Sequence, residues 1–503
     1  MSLAAACGWS LARSTGVALV SAPVSVWLDR RLSSLAGPVR TAAWGLLLVP
    51  FLFPTLLSGY AYSETALGLV GAELWARFPP QVASAIREWL GSHNSFVDEL
   101  LLCSLLLCKA APVGTIILRF APRPPYSPSA WHCRQLSKGM APNLSMSLRE
   151  RWDYTVYGPA RGLLAAISLM FLVAFQEFEL PSLLKRPAWT VWLFDAQVGG
   201  LALAESLRAV TWPLVIQLLV VVPLWRSLRR GTGAPRHDSA IVPPSRLSAL
   251  RDGCYLLAAF SLSCLIPIAL VGTDTARGLV SLAGKLSQLE RFTRDSLSGF
   301  FFALIAAWIA RWLVEWNPPS KAPLAAIRRW ILPILAIPGL FGPLVLSLSL
   351  VAALQWSLFN PVYRTPVSLV LGLTLHLLPR ALLLAAVLRV ADRDAARHSA
   401  RLLADCGDRT RTVAAHELSW RLGGSARFWI LAGLTFWGYL ELTIAYLLGP
   451  TTIVSVPVLL YNQMHFGKNA VLSAMTFLAV VVPVALFIAA AALRPFIRRS
   501  LWR

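Results

Sequence analysis

The sequence predicts an all-α, polytopic membrane protein of about eleven transmembrane helices, set out as two tandem repeats of about five and six spans. Three observations carry this. Of 503 residues, 56% are hydrophobic and 14% charged, against roughly 25% charged in an average soluble chain. The apolar residues gather in runs of about 17 to 25, the length that crosses a hydrocarbon layer roughly 30 Å thick. Finally, the order of motifs in the first half returns in the second. A soluble enzyme, a disordered chain and a disulfide-framed secreted domain do not fit this composition.

The expected spans lie near 9–27, 42–62, 99–118, 159–177 and 209–225, then 254–273, 298–316, 330–354, 366–388, 428–448 and 470–492. The first is read as a retained span, because no small-x-small cleavage site follows it before Asp29-Arg30-Arg31. The net charge of +22 would suggest nucleic acid in a soluble chain, but the cations sit mostly in short loops. Alternate loops, including 28–41, 119–157, 226–253, 317–329, 389–427 and the C-terminal tail, hold about 30 Lys and Arg, and the opposite set about 12. That asymmetry places the N-terminus outside and the C-terminus in the cytoplasm, so no nucleic-acid partner is expected. The seven cysteines (Cys7, Cys103, Cys108, Cys133, Cys254, Cys264, Cys406) form no C-x-x-C pair, and no metal site is expected. Of the 20 tryptophans, Trp27, Trp44, Trp189, Trp192, Trp312, Trp316, Trp330 and Trp502 fall near expected interfaces, where indoles anchor.

Matching segments recur at matching spacing. Trp27-Leu28-Asp29-Arg30 closes the first span and Trp308-Ile309-Ala310-Arg311 the seventh. Phe53-Pro54 in the second span answers Ile337-Pro338 in the eighth. A basic residue lies within the third span (Lys109) and the ninth (Arg380). Phe175-Gln176-Glu177-Phe178-Glu179 matches Tyr439-Leu440-Glu441-Leu442-Thr443, and Phe194-Asp195 with Gly199 answers Tyr461-Asn462 with Gly467. Matched spans cross in the same sense, which implies a parallel repeat about a pseudo-twofold axis along the membrane normal. The expected division is a first repeat at 1–230, a cytoplasmic linker at 231–253 rich in Gly and Pro, and a second repeat at 254–503. The span at 254–273 is extra; five spans alone would invert the second copy.

Lys109 and Arg380 are the cations inside expected spans at equivalent places. A mid-span cation costs about 2.5–3.5 kcal/mol on insertion scales and turns toward protein or a water-filled cavity. Two readings stay open: a translocation path that attracts an anionic or chelated solute, or an ion pair with Glu99, Glu177 or Glu441. Glu177, Glu179 and Glu441 sit near the outer ends of the fourth and tenth spans, where they either meet an incoming cation or are merely exposed. Pro54 and Pro338, with Pro50, Pro333 and Pro343, remove backbone hydrogen bonds within spans, which makes the second and eighth spans candidate gates or simple kinks.

The order of these features resembles the fused, two-domain permease subunits of binding-protein-dependent ABC importers, in the iron(III)- and thiamine-type branch. The resemblance covers nearly the whole chain. It rests on the proline-rich second span of each half, the cytoplasmic loop after the third, the stretch Glu177-Phe178-Glu179-Leu180-Pro181-Ser182-Leu183-Leu184 and the late aromatic-polar-Gly pattern. It implies a bacterial inner-membrane transport subunit, not itself an enzyme, that imports a small solute, iron(III) first among them. In the family, a cytoplasmic E-A-A-x-x-x-G helix docks on the ATPase. The matching positions here are His398, Ser399, Ala400, Arg401, Leu402, Leu403 and Ala404, so His398 stands for the glutamate and Ala404 for the glycine. The resemblance further implies two copies of a nucleotide-binding ATPase subunit, a periplasmic substrate-binding protein and the lipid bilayer as partners. No G-x-x-x-x-G-K-S/T loop occurs, so no cofactor is expected in this chain and ATP belongs to the partner subunit. An ion-coupled secondary transporter and an integral membrane transferase are the alternatives.

Overall fold

The computed structural model describes residues 1–35, 37–63, 79–120, 148–149, 152, 161–229, 246–316, 323–391, 399, 402–403, 405, 414–415, 417–450, 452–464 and 470–501. Among these residues the regular structure is helical, with no strand. Eight helices are long and apolar enough to cross a membrane, or ten if each of two bent pairs counts as one span. The chain is a multi-pass membrane protein, with eight to ten such elements among the described residues. The eighth expected span, 330–354, is instead two helices parted at Phe341-Gly342. The linker segment 231–245 lies outside the described residues. The chain divides into two compact units, Met1–Thr273 and Asp274–Arg503.

In the first unit, α1 (Leu3–Ser34) opens on Ser2, whose hydroxyl accepts from the Ala5 amide at 3.4 Å. Its buried face reads Ser10, Ser14, Ala18, Ser21 and Ser25. Small residues at this spacing let neighbouring backbones approach closely. Two do: α4 (Pro80–Phe120) and α5 (Arg161–Phe175) both pack on α1. Ser25 Oγ donates to the Ala111 carbonyl of α4 at 3.0 Å. Gly114 of α4 sits at the crossing, where a Cβ would lie 2.4 Å from Ser25 Oγ and 2.5 Å from Met170 Sδ of α5.

The second span is broken. α2 (Gly37–Leu52) and α3 (Thr55–Ser63) meet at 69° across Phe53-Pro54, because proline cannot continue the hydrogen-bond ladder. The fourth span is broken too: α5 stops at Phe175, α6 (Glu179–Leu183) follows, and α6 packs on α3. α7 (Trp189–Val198) then lies against α1, and α8 (Leu203–Arg229) against α5 and α7. α9 (Arg246–Phe260) continues through a π-helical turn, Ser261–Leu265, into α10 (Ile266–Ala283). Carbonyls of that turn accept hydroxyls from α3: Leu262 from Tyr62 at 2.6 Å and Ser263 from Ser58 at 3.0 Å. Leu256 of α9 joins Leu28, Leu32, Ala43, Leu47 and Ala111 in one buried cluster. The extra span at 254–273, expected to open the second repeat, therefore packs within the first unit.

In the second unit, α11 (Leu286–Glu315) presents Ala303, Ala306, Ala307 and Ala310, each fully buried, to α14 (Pro366–Ala391) and α15 (Ser425–Tyr439). α12 (Pro323–Leu340) ends at a turn through Gly342, whose φ of 86° suits glycine, and Pro343 opens α13 (Pro343–Leu354). α15 breaks at Leu440-Glu441 into α16 (Leu442–Leu448), at 58°. α16 packs on α13 and on α17 (Val456–Met464), which packs on α18 (Ala470–Leu501).

Replacing Gly114 by alanine is expected to lower stability by roughly 1–3 kcal/mol through overpacking. Gly8→Ala, where a Cβ would meet nothing within 4 Å, is expected to raise it by roughly 0.5–1 kcal/mol through helix propensity. Thermal unfolding of both variants in the same detergent checks this.

Candidate functional site

The candidate residues converge on the two breaks in the spans that carry Glu177 and Glu441. In the first unit, α5 ends at Phe175 and leaves carbonyls without intrahelical donors. α7 supplies them: Trp189 Nε1 donates to the Phe175 carbonyl at 2.7 Å and Thr190 Oγ1 to the Glu177 carbonyl at 2.8 Å. Trp189 is 1% exposed. It is thus a buried structural donor, not the interfacial anchor its sequence position implied, because the break beside it needs an N–H more than the interface needs an indole.

The break sends three polar side chains to three different helices. Gln176 Nε2 donates to Gln217 Oε1 of α8 at 2.7 Å. Glu177 accepts from Lys109 Nζ of α4 at 2.6 Å. Glu179 accepts from Thr55 Oγ1, the first residue of α3 beyond the Pro54 break. Lys109 and Glu177 therefore form the ion pair that the sequence left as one of two readings. Glu99 is engaged elsewhere. Arg13 of α1 meets it at 2.5 and 3.0 Å and also donates to the Pro187 carbonyl at 3.1 Å, while Arg186 stands 3.5 Å from Glu99 and 4.0 Å from Asp98. Arg13 went unread in the sequence, although a lone cation within a span is the same signal that picked out Lys109.

In the second unit the break at Leu440-Glu441 faces α14. His376 and Arg380 lie one turn apart on that helix and so share a face. His376 Nε2 stands 3.2 Å from Glu441 Oε2, and the Arg380 guanidinium contacts the same Nε2. Arg380 also lies over the Trp437 ring of α15, 5.5 Å from its centroid. His376 is only 3% exposed. Its signal in the sequence was its place four residues before Arg380.

The two prolines part company. Pro54 stands at a break. Pro338 lies inside α12, and its neighbour Gly339 marks a close crossing, where a Cβ would come 2.3 Å from the Leu375 carbonyl of α14. Of the expected ATPase-docking residues, Ser399, Leu402 and Leu403 are helical, with Leu402 53% exposed. His398, Ala400, Arg401 and Ala404 lie outside the described residues. Among the described residues, no three of His, Cys, Asp and Glu group closely enough to hold a metal ion. Comparison with protein-family models, with curated proteins and with solved structures gives no match.

Lys109→Met leaves the Glu177 carboxylate, 7% exposed in its side chain, without its cation, and is expected to cost up to about 3 kcal/mol. The double variant Lys109→Met/Glu177→Gln is expected to recover most of that loss. Denaturant titration of the three proteins in mixed micelles measures the coupling.

Proposed function

We propose that this chain is the membrane-spanning permease subunit of an ABC importer, built from two tandem permease repeats, that passes a small solute into the cytoplasm. The observation that carries the reading is a parallel between the units. In each, a long helix with a small-residue face (α1, α11) packs on the helix that bears the mid-span cation (α4, α14) and on the helix that breaks at a glutamate (α5, α15). That glutamate is engaged from the cation-bearing helix, by Lys109 in one unit and His376 with Arg380 in the other. The short helix after each break (α6, α16) packs on the short helix that ends the proline-rich span (α3, α13). Such agreement of order and pairing is what a duplicated transport module leaves behind.

In this reading ATP is hydrolysed on two separate subunits, and the helical residues Ser399, Leu402 and Leu403, the first two of them exposed, belong to the element that receives their stroke. A periplasmic binding protein delivers the solute. Iron(III) is the first solute to assay, by resemblance. Because Glu177, Glu179 and Glu441 are already engaged by Lys109, Thr55 and His376, these carboxylates serve as fastenings of the breaks before they serve as a lining. A second reading, an ion-coupled secondary transporter, is favoured by one feature, the buried and titratable His376–Glu441 contact.

The affinity-purified full chain is expected to bring down an ATPase with a phosphate loop, and deletion of 391–422 to lose it while the chain still inserts. Vesicles holding chain and ATPase are expected to take up iron(III) only with ATP. Uptake that persists without any ATPase and collapses with a protonophore overturns the importer in favour of the second reading.

A further inference from the structure

His376 is held in a position that a neutral imidazole cannot fully satisfy. Its Nε2 faces two groups with opposite demands: the Arg380 guanidinium, which only donates, and the Glu441 carboxylate, which only accepts when ionised. One ring nitrogen is a donor or an acceptor, never both. When Nε2 accepts from Arg380, the ring proton sits on Nδ1, which is buried and has no hydrogen-bond partner among the described residues. When the neutral ring carries its one proton on Nε2 it donates to Glu441, its contact with Arg380 turns repulsive and Nδ1 is left a buried acceptor without a partner among the described residues; a second proton makes both nitrogens donors and sets a positive ring against the Glu441 carboxylate.

We propose that His376 is a proton-binding site, and that uptake of one proton from solvent transfers its Nε2 from Arg380 to Glu441 and so tightens the α15–α16 break against α14. The surroundings make the exchange selective. Arg380 from the same helix and Glu441 from the break are the charged groups that act on it. α11, α12, α13 and α16 also pack on α14 and, among the described residues, bring His376 no further charge. Glu441 is the residue that opens α16, so a change at Nε2 is felt by the short helix. Arg380, released from the ring, keeps the Trp437 face beneath it. Glu441 keeps 15% of its side chain exposed. Among the described residues, the break at Glu177 has no such device. Leu105 occupies the place one turn before Lys109 and is buried, and Lys109 meets Glu177 directly. The second break is therefore proton-sensitive and the first is not, whichever energy source drives the chain.

The experiment is amide hydrogen exchange of the full chain in lipid nanodiscs between about pH 5 and about pH 8, corrected for intrinsic rates. Protection of 439–445 is expected to rise roughly fivefold to tenfold toward the acid end, the size of one hydrogen bond gained net of the lost Arg380 contact. Protection of 175–181 is expected to stay constant. His376→Gln and, independently, Glu441→Gln are expected to flatten the response at 439–445. Imidazole nitrogen-15 spectra of the wild-type chain give a second test, needing no variant to fold. One histidine is expected to pass from a neutral ring with bare Nε2 to a doubly protonated ring over the same range, in step with the exchange at 439–445. A wild-type break indifferent to pH overturns the proposal, as does a response that survives in either variant or the absence of a histidine titrating in step.

Discussion

Inside a hydrocarbon layer a carbonyl that loses its helical donor has no water to turn to, and each unsatisfied group costs several kcal/mol. The break after Phe175 exists only because α7 folds back to serve it. Trp189 and Thr190, its first two residues, donate to the Phe175 and Glu177 carbonyls, and the Trp189 amide is itself held by Ser10 Oγ of α1 at 3.1 Å. This fixes more than two hydrogen bonds. It sets where α7 begins and keeps the chain between α6 and α7 short. It also aims the side chains of Gln176, Glu177 and Glu179 away from the carbonyls and toward α8, α4 and α3. Remove the service and the glutamates lose their bearings before they lose their partners.

The ionic contacts act on top of that backbone constraint. A buried pair seldom adds much net stability, since desolvation offsets most of its attraction, but removing one partner strands the other. Its value lies in register. α4 is held by ionic contacts at Glu99 and at Lys109, ten residues or about 15 Å apart along a helix. The first ties it to α1 and the second to the break. An apolar interface of small residues allows sliding by a turn at modest cost; two ionic contacts at that separation do not, because a slip would strand both charges at once.

The membrane class was legible because the length and purity of apolar runs are set by the bilayer itself. Lys109 and Glu177 were legible for a related reason, since charges in such runs must be compensated. Which partner each takes was not, because Glu99 and Glu177 are both on or near the path of α4, and only packing decides that Arg13 claims the first. Trp189 was misread because an indole near a span end looks the same whether it faces headgroups or caps a broken helix. Pro338 was aligned with Pro54 by motif, but the turn in the second unit is made by Gly342, whose φ of 86° leaves no trace in hydropathy. His376 escaped notice because its role depends on the orientation of a ring, not on its spacing alone.

Rigid and pliable parts of each unit are separable on the same physical grounds. α1 with α4 and α5 in the first unit, and α11 with α14 and α15 in the second, pack through small residues over long helices, an arrangement with little room to deform. The pieces after the breaks differ. α3 packs on α6, and α13 on α16, and each is joined to its own span by a break that has already given up its hydrogen bonds. A tilt of such a pair ruptures no helix and exposes little backbone that is not already served from elsewhere. The polar ties from the short pieces to the long helices are then what resists motion: Lys109–Glu177 in one unit, and His376 with Glu441 in the other. Those ties are where modest changes in charge move the most structure, and they are also where the two halves of this chain differ in chemistry.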